Sequence, residues 1–332
     1  MSRMRLLVLG GTAWLGREVA AQAQASGHDV VCVARGTSGE PAPGVRLVTA
    51  DRNADDGLAL VSGEKWDAVV DVARQPGQVR RAVRDLRRAE HYVFVSTGNV
   101  YADHQTPGLD ESAQRLEPLV EDVMASVEVY GEAKVSCEDA VFEVFADRST
   151  VARAGLIGGP GDASDRTGYW PFRFARPSNA GGRVLAPDAR RQGTAVIDVR
   201  DLAAWLVRSA EERVSGAFNA AGAVVPLEEH LQACRGVTGH NGEVVWAGPA
   251  WLRDNGVQEW SGPRSLPLWL PDDELGFTSH DNTAALSAGL ALRSLESTLA
   301  DTLAWRQEEP DRELRSGLTD ADEKALLTEV RP

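Results

Sequence analysis

The stretch Arg5-Leu6-Leu7-Val8-Leu9-Gly10-Gly11-Thr12-Ala13-Trp14-Leu15-Gly16 decides how this chain folds. An apolar, β-rich run from Arg5 to Leu9 passes at once into a glycine-rich segment. Arg17 to Gln24 then reads as a helix with Val19 and Ala20 on its inner side. Strand, glycine turn and helix form the context that a dinucleotide-binding loop requires. The glycines allow a tight turn and close approach of the backbone to a pyrophosphate. The helix N-terminus offers free N–H groups and a positive dipole end to the phosphates. Turns also need glycine, so the loop gains its weight from a second motif.

That motif is Tyr130-Gly131-Glu132-Ala133-Lys134. Lys and Arg together number 35, yet the only lysines are Lys65, Lys134 and Lys324, and tyrosine occurs four times. A chance Tyr-x-x-x-Lys is expected at roughly 4 in 100 in such a chain. Positions four apart share a helix face. A phenol beside an ammonium has a lowered pKa and can pass a proton near neutral pH. Arginine is a poor substitute, being bulkier and permanently charged.

Working outward, the first half alternates strands and helices. Strands are expected at Val30–Ala34, Val45–Val48, Trp66–Val72, Tyr92–Thr97 and from Thr150. Helices are expected at Gln78–Arg88 and within Leu119–Phe145. Strands separated by helix-length segments mean βαβ units and a parallel sheet covered on both faces. After Gly155 the texture changes to Gly, Pro, Arg and aromatics, read as long loops with short helices. Ala195–Asp201 returns to a strand, with a helix over Leu202–Ser209 capped by Asp201. Residues 282–305 read as a terminal helical unit and 306–332 as a polar, solvated helix or tail. The predicted fold is a Rossmann-type doubly wound α/β sheet with a smaller C-terminal substrate lobe. Residues 1–155 form the dinucleotide-binding domain, completed by about 195–222. Residues 156–194 and 223–305 form the lobe.

The bulk numbers exclude several classes. With 332 residues, 43% hydrophobic and 25% charged, the chain can bury a full core and is ordinary for a globular protein. No apolar run reaches membrane-spanning length. The first strand opens at residue 5, so no signal peptide is expected and the cytoplasm is the expected compartment. Cys32, Cys137 and Cys234 suit buried thiols better than disulfides or zinc. The six histidines show no metal spacing, so no metal is expected. A net charge of −14 argues against a nucleic-acid partner.

Together these motifs resemble the extended short-chain dehydrogenase/reductase superfamily, in its NAD-dependent epimerase/dehydratase branch. The resemblance spans nearly the whole chain. It rests on the loop at 10–16, Asp51-Arg52, Val95-Ser96-Thr97-x-x-Val100-Tyr101, Tyr130-x-x-x-Lys134, Gly158-Gly159-Pro160-Gly161 and Ile197-Asp198-Val199-Arg200-Asp201-Leu202-Ala203. It implies a Thr97–Tyr130–Lys134 catalytic set. Thr97 holds the substrate oxygen. Tyr130 donates or accepts the proton. Lys134 lowers the tyrosine's pKa and holds the nicotinamide ribose. Gly10, Gly11, Thr12, Ala13, Trp14, Leu15 and Gly16 line the pyrophosphate, Asp51 and Arg52 take the adenine side, and Ala73 completes the nucleotide contacts. Ala13 departs from the usual middle glycine, which leaves the fine geometry of the loop open. Tyr101, Tyr169 and Trp170 fall where the family's substrate cleft lies.

The second strand ends Ala34-Arg35-Gly36-Thr37, with no carboxylate to hold a ribose diol. Arg35 is placed for a 2′-phosphate, which favours NADP(H) while leaving NAD(H) open. The implied reaction is hydride transfer between NAD(P)(H) and a C–OH/C=O centre of a small-molecule substrate. A homodimer stays open. The first rival is a nucleotide-sugar epimerase with tightly bound NAD. Dehydration is disfavoured, because Gly98-Asn99 follows Thr97 where an Asp-Glu pair would stand. The second rival is a non-catalytic NADP sensor or RNA-associated protein, against which the intact triad and the charge both count.

Overall fold

The computed structural model describes residues 3–330. Six strands come first in the chain: β1 (Arg5–Leu9), β2 (Asp29–Ala34), β3 (Arg46–Thr49), β4 (Ala68–Asp71), β5 (His91–Thr97) and β6 (Ser149–Ala154). With the edge strand Gly216–Ala220 they make one seven-stranded sheet, ordered β3-β2-β1-β4-β5-β6-edge. Every pairing is parallel. The doubly wound sheet expected from the sequence is present. The chain winds outward from β1 to β3, then returns to β4 on the other side of β1. Ligands of such sheets bind at this reversal, outside the carboxyl ends of the strands.

Strand residues alternate between two cores. Leu6, Val8 and Cys32 face α1 (Trp14–Ala25), while Leu7, Leu9 and Val31 face the opposite helices. After α2 (Ala59–Ser62), these are α3 (Pro76–Asp85) and α4 (Tyr130–Phe145), which contribute Val79, Val83, Val141 and Phe145. A parallel sheet covered on both faces needs such near-continuous apolar runs. Cys32, Cys137 and Cys234 are buried free thiols.

The second lobe has its own core, around Tyr169, Trp170 and Phe174 of α5 (Tyr169–Ala175), Leu231, Leu252 and Trp269. Trp170 is 0% exposed. Burial of a large apolar side chain contributes ~1.5–3 kcal/mol. Short ladders frame this lobe, among them Leu156–Gly158 with Val196–Asp198 and Val184–Pro187 with Val244–Ala247.

Two expectations are corrected here. The helix after Val196–Asp198 is α6 (Val199–Glu212), and its N-cap is Asp198, not Asp201. The Asp198 carboxylate accepts the Arg200 N–H at 2.9 Å, whereas Asp201 lies inside the first turn and binds Arg293. Of the helix or tail expected over 306–332, the helix is present over Asp320–Glu329, but it is docked rather than solvated. It buries Glu323, Leu326 and Leu327 against the lobe. Glu323 accepts the Leu185 N–H, and Arg173 reaches Asp320 and the Leu318 carbonyl. Among the described residues no helix is long and apolar enough to cross a membrane.

Candidate functional site

At the carboxyl end of β1 the chain turns under close steric control. Gly10 takes φ +94°, and a Cβ there would meet Val72 at 2.6 Å. Gly11 packs against Cys32 instead of facing the cleft. A Cβ on Gly16 would stand 2.3 Å from the Gly10 carbonyl oxygen, with only backbone around it. Ala13 is the N-cap of α1 at φ −84°, ψ 159°, an ordinary extended conformation. The departure from glycine there therefore carries no backbone strain. No side chain caps α1 and no acid sits in its first turn, so its free N–H groups and positive dipole end face the cleft. Gly16→Ala is expected to abolish nucleotide binding and to cost ~1–3 kcal/mol of stability, the range for overpacking. Nucleotide titration and denaturant unfolding test this. Unchanged values in both would contradict the steric reading.

The cleft has two halves that share Ala13, Val72 and Arg74. One, of about 490 Å³, is lined by Thr12, Arg35, Thr37, Asp51, Arg52 and Ala73, among others. Arg35 is exposed and makes no ion pair among the described residues. Asp51 is exposed and accepts the Asn53 N–H at 3.0 Å. Arg52 forms part of the wall, but its guanidinium is held by a bidentate pair to buried Asp71, both contacts at 2.9 Å. It is a support of this half rather than a free ligand. Asp71 also accepts the Ala73 N–H and the Tyr92 hydroxyl.

The other half, of about 470 Å³, is lined by Trp14, Leu15 and Gly16 and contains Thr97, Tyr130 and Lys134. Thr97 ends β5. Its hydroxyl donates to Asn99 Oδ1 at 2.8 Å and accepts the Asn99 N–H at 3.3 Å. Tyr130 opens α4. A Cβ on Gly131 would meet the Asn99 carbonyl at 2.4 Å, so glycine lets α4 pack against the Gly98–Val100 turn and sets the phenol beside Thr97. Lys134 is 2% exposed. Its Nζ donates to the carbonyls of Ala73 (2.8 Å) and Val95 (2.5 Å), and lies 4.1 Å from the Phe94 ring centroid.

The electrostatics differ from the sequence expectation. Burial pushes the Tyr130 phenol above its ordinary value. Arg74, the Thr97 hydroxyl and Arg166 oppose that shift, and Lys134 is not among its principal influences. The ammonium is turned toward two carbonyls, and burial brings its own pKa down to about 8. Arg74 and Arg166 were missed. Arg74 lies just past β4, at the sheet reversal, and that position was a usable signal. Arg166 and Phe277 reach the cleft from remote loops, and Trp260 from the end of the short strand Gln258–Trp260; no local pattern connects them to it.

Tyr101, Tyr169 and Trp170 do not line the cleft. Tyr101 is buried, donating to Asn219 Oδ1 at 2.6 Å and accepting from Arg153 at 3.0 Å. Tyr169 and Trp170 are core, the indole N–H of Trp170 donating to the Pro267 carbonyl. Large aromatics serve packing as readily as binding. Among the described residues no group of three or more His, Cys, Asp or Glu is placed to hold a metal ion.

Residues 6–87 match the model of the NAD dependent epimerase/dehydratase family. The chain is 31% identical over 152 residues to the 2'-dehydrokanamycin reductase of Streptomyces kanamyceticus, a match covering 45% of this chain and 41% of that protein. It is 42% identical over 72 residues to the dTDP-6-deoxy-L-talose 4-dehydrogenase (NAD(P)(+)) of Kitasatospora kifunensis, covering 21% and 22% of the two chains. The matched stretches thus span less than half of either curated relative. The Bordetella bronchiseptica enzyme WbmG, solved in complex with NAD and UDP, superposes with a TM-score of 0.67 at 16% identity, over 92% of this chain and 96% of that one. Residues 6–87 are thus similar to the NAD dependent epimerase/dehydratase family, and the chain shares the Rossmann-type fold of the Bordetella enzyme.

Proposed function

We propose that this chain is an NAD(P)-dependent oxidoreductase, a ketone/alcohol reductase of the extended short-chain dehydrogenase type, with Thr97, Tyr130 and Lys134 as its catalytic set. One observation carries this reading. Thr97, Tyr130 and Lys134 line the same half of the cleft as the uncapped end of α1.

The residues fit a nicotinamide dinucleotide. The glycine cradle at 10–16 admits no Cβ at Gly10 or Gly16, and the cleft runs on from there to Arg35. The first turn of α1 would hold the pyrophosphate, Asp51 and Arg35 the adenosine side, and Lys134 the nicotinamide ribose. When bound, the nicotinamide supplies or accepts the hydride. The protein positions the substrate and handles the proton. The Thr97 hydroxyl fixes the substrate oxygen. The Tyr130 phenol, kept protonated by burial, gives its proton to that oxygen on reduction and recovers one on oxidation. Mixing the protein with NADPH and a panel of carbonyl compounds tests the reading. Oxidation of the nucleotide supports it. NAD that stays bound through purification, with no turnover of the panel, would move the assignment to a nucleotide-sugar epimerase.

The unpaired Arg35 supports NADP(H) as the cofactor. Charge-assisted hydrogen bonds to a 2′-phosphate contribute about 1.5–3 kcal/mol. Arg35→Ala is therefore expected to weaken NADPH by roughly 10- to 100-fold and to leave NADH nearly unchanged. Titration of both nucleotides against both proteins decides it. Equal losses, or a parent protein that prefers NADH, would reduce Arg35 to a surface charge.

A further inference from the structure

The Tyr130 half of the cleft is electrostatically one-sided. Among the described residues its titratable lining groups are Arg74, Tyr130, Lys134 and Arg166, and no carboxylate lines it. This cationic chamber sits in a chain of net charge −14. Lys134 is engaged by two carbonyls, and Arg74 stands at the junction of the two halves. Arg166 lines the Tyr130 half alone.

The segment that presents Arg166 is built rather than loose. The Asp162 carboxylate accepts from the Ser164 N–H (2.9 Å), the Ser164 hydroxyl (2.6 Å) and the Thr167 hydroxyl (2.7 Å). Asp165, 1% exposed, holds φ +61° while its carboxylate accepts from Arg312 (2.6 Å) and the Arg315 N–H (2.9 Å). Trp260, whose ring centroid lies 5.5 Å from the Arg166 guanidinium, also holds φ +61°. Left-handed backbone in non-glycine residues persists only where its surroundings enforce it, and it clusters at ligand clamps. The guanidinium itself donates from Nε to Ser164 Oγ at 3.2 Å. Its two terminal nitrogens have no partner among the described residues. Burial works against the charge here, yet arginine remains charged. A partly desolvated, unpaired cation aimed into a cavity gains most from an anion.

We propose that Arg166 binds an anionic group, a carboxylate or phosphate, carried by the substrate, and so makes the cleft selective for acidic carbonyl compounds. The inference rests on the oxidoreductase reading for the word substrate. The anion pocket itself is tested by binding. The protein loaded with NADP⁺ is titrated with matched probes: levulinate against its methyl ester, and dihydroxyacetone phosphate against dihydroxyacetone. Calorimetry or quenching of the cleft tryptophans reports the affinity. The anionic member of a pair is expected to bind roughly 10- to 100-fold more tightly. Arg166→Met erases that preference, Arg166→Lys keeps part of it, and NADPH affinity stays within about two-fold of the parent. Arg166 also faces the phenol, so turnover alone would mix two effects. The acid-to-neutral ratio removes the shared one. Equal affinities within every pair overturn the inference. A loss of NADPH affinity in Arg166→Met with the acid preference intact also overturns it, because the cation would then serve the nucleotide's phosphates. Acid-selective binding with no nucleotide oxidation by any probe overturns the oxidoreductase reading and leaves the anion pocket standing.

Discussion

Tyr130→Phe is expected to keep the nucleotide affinity of the parent chain and to lose turnover by about 100-fold or more. The ring of Tyr130 packs at the start of α4, and phenylalanine retains that packing. What disappears is one hydroxyl and its proton. Burial holds the phenol above its ordinary pKa, so it carries a proton throughout the neutral range. That state suits a donor to a developing alkoxide. Arg74 and Arg166 stabilise the phenolate that forms when the proton leaves, since both oppose the upward shift. No other phenol lines this half of the cleft. Steady-state turnover and direct nucleotide titration on the same preparation check the result. Turnover above about a tenth of the parent would remove Tyr130 from the proton-transfer role.

Much of the fold was legible because the sheet is buried on both faces. Leu6–Leu9, Val30–Val33 and Tyr92–Val95 are continuous apolar runs, and such runs separated by helix-length segments leave few other topologies. The loop was legible because Gly10 and Gly16 stand where no Cβ fits. Direction was less legible than proximity. Spacing four along a helix correctly put Tyr130 and Lys134 in one cleft, but it could not say that the ammonium turns to Ala73 and Val95 while the phenol faces two arginines. Aromatic side chains misled for a related reason. Tyr101, Tyr169 and Trp170 look alike in sequence whether they wall a cleft or fill a core. The docking of the terminal helix was hidden because its buried set is small. Glu323, Leu326 and Leu327 suffice to dock it, through partners such as Arg173 that lie about 150 residues away.

Lys134→Ala is the second large effect expected, and it separates two roles that the spacing motif merges. The ammonium is not a principal influence on the phenol, so the loss should appear first in nucleotide binding. Removing charge-assisted hydrogen bonds to a ribose predicts roughly 10- to 100-fold weaker NADPH, with turnover falling at least as far. The pH dependence is specific to this residue. In the free protein Lys134 has a pKa near 8, below its ordinary 10.5, because burial disfavours the charged form. NADPH affinity of the parent should therefore decline as pH rises through about 8, and the alanine variant should lack that decline. Stability should move the opposite way. Between about 8 and 10.5 the unfolded chain binds more protons at this lysine than the folded one, so the lysine's contribution to stability increases with pH across that window. A purely structural lysine would alter the stability curve and leave the affinity profile flat. Affinity that falls above pH 8 while this stability contribution rises assigns Lys134 to the nucleotide. A variant with parental NADPH affinity across the whole range would show that the two carbonyls are all it serves.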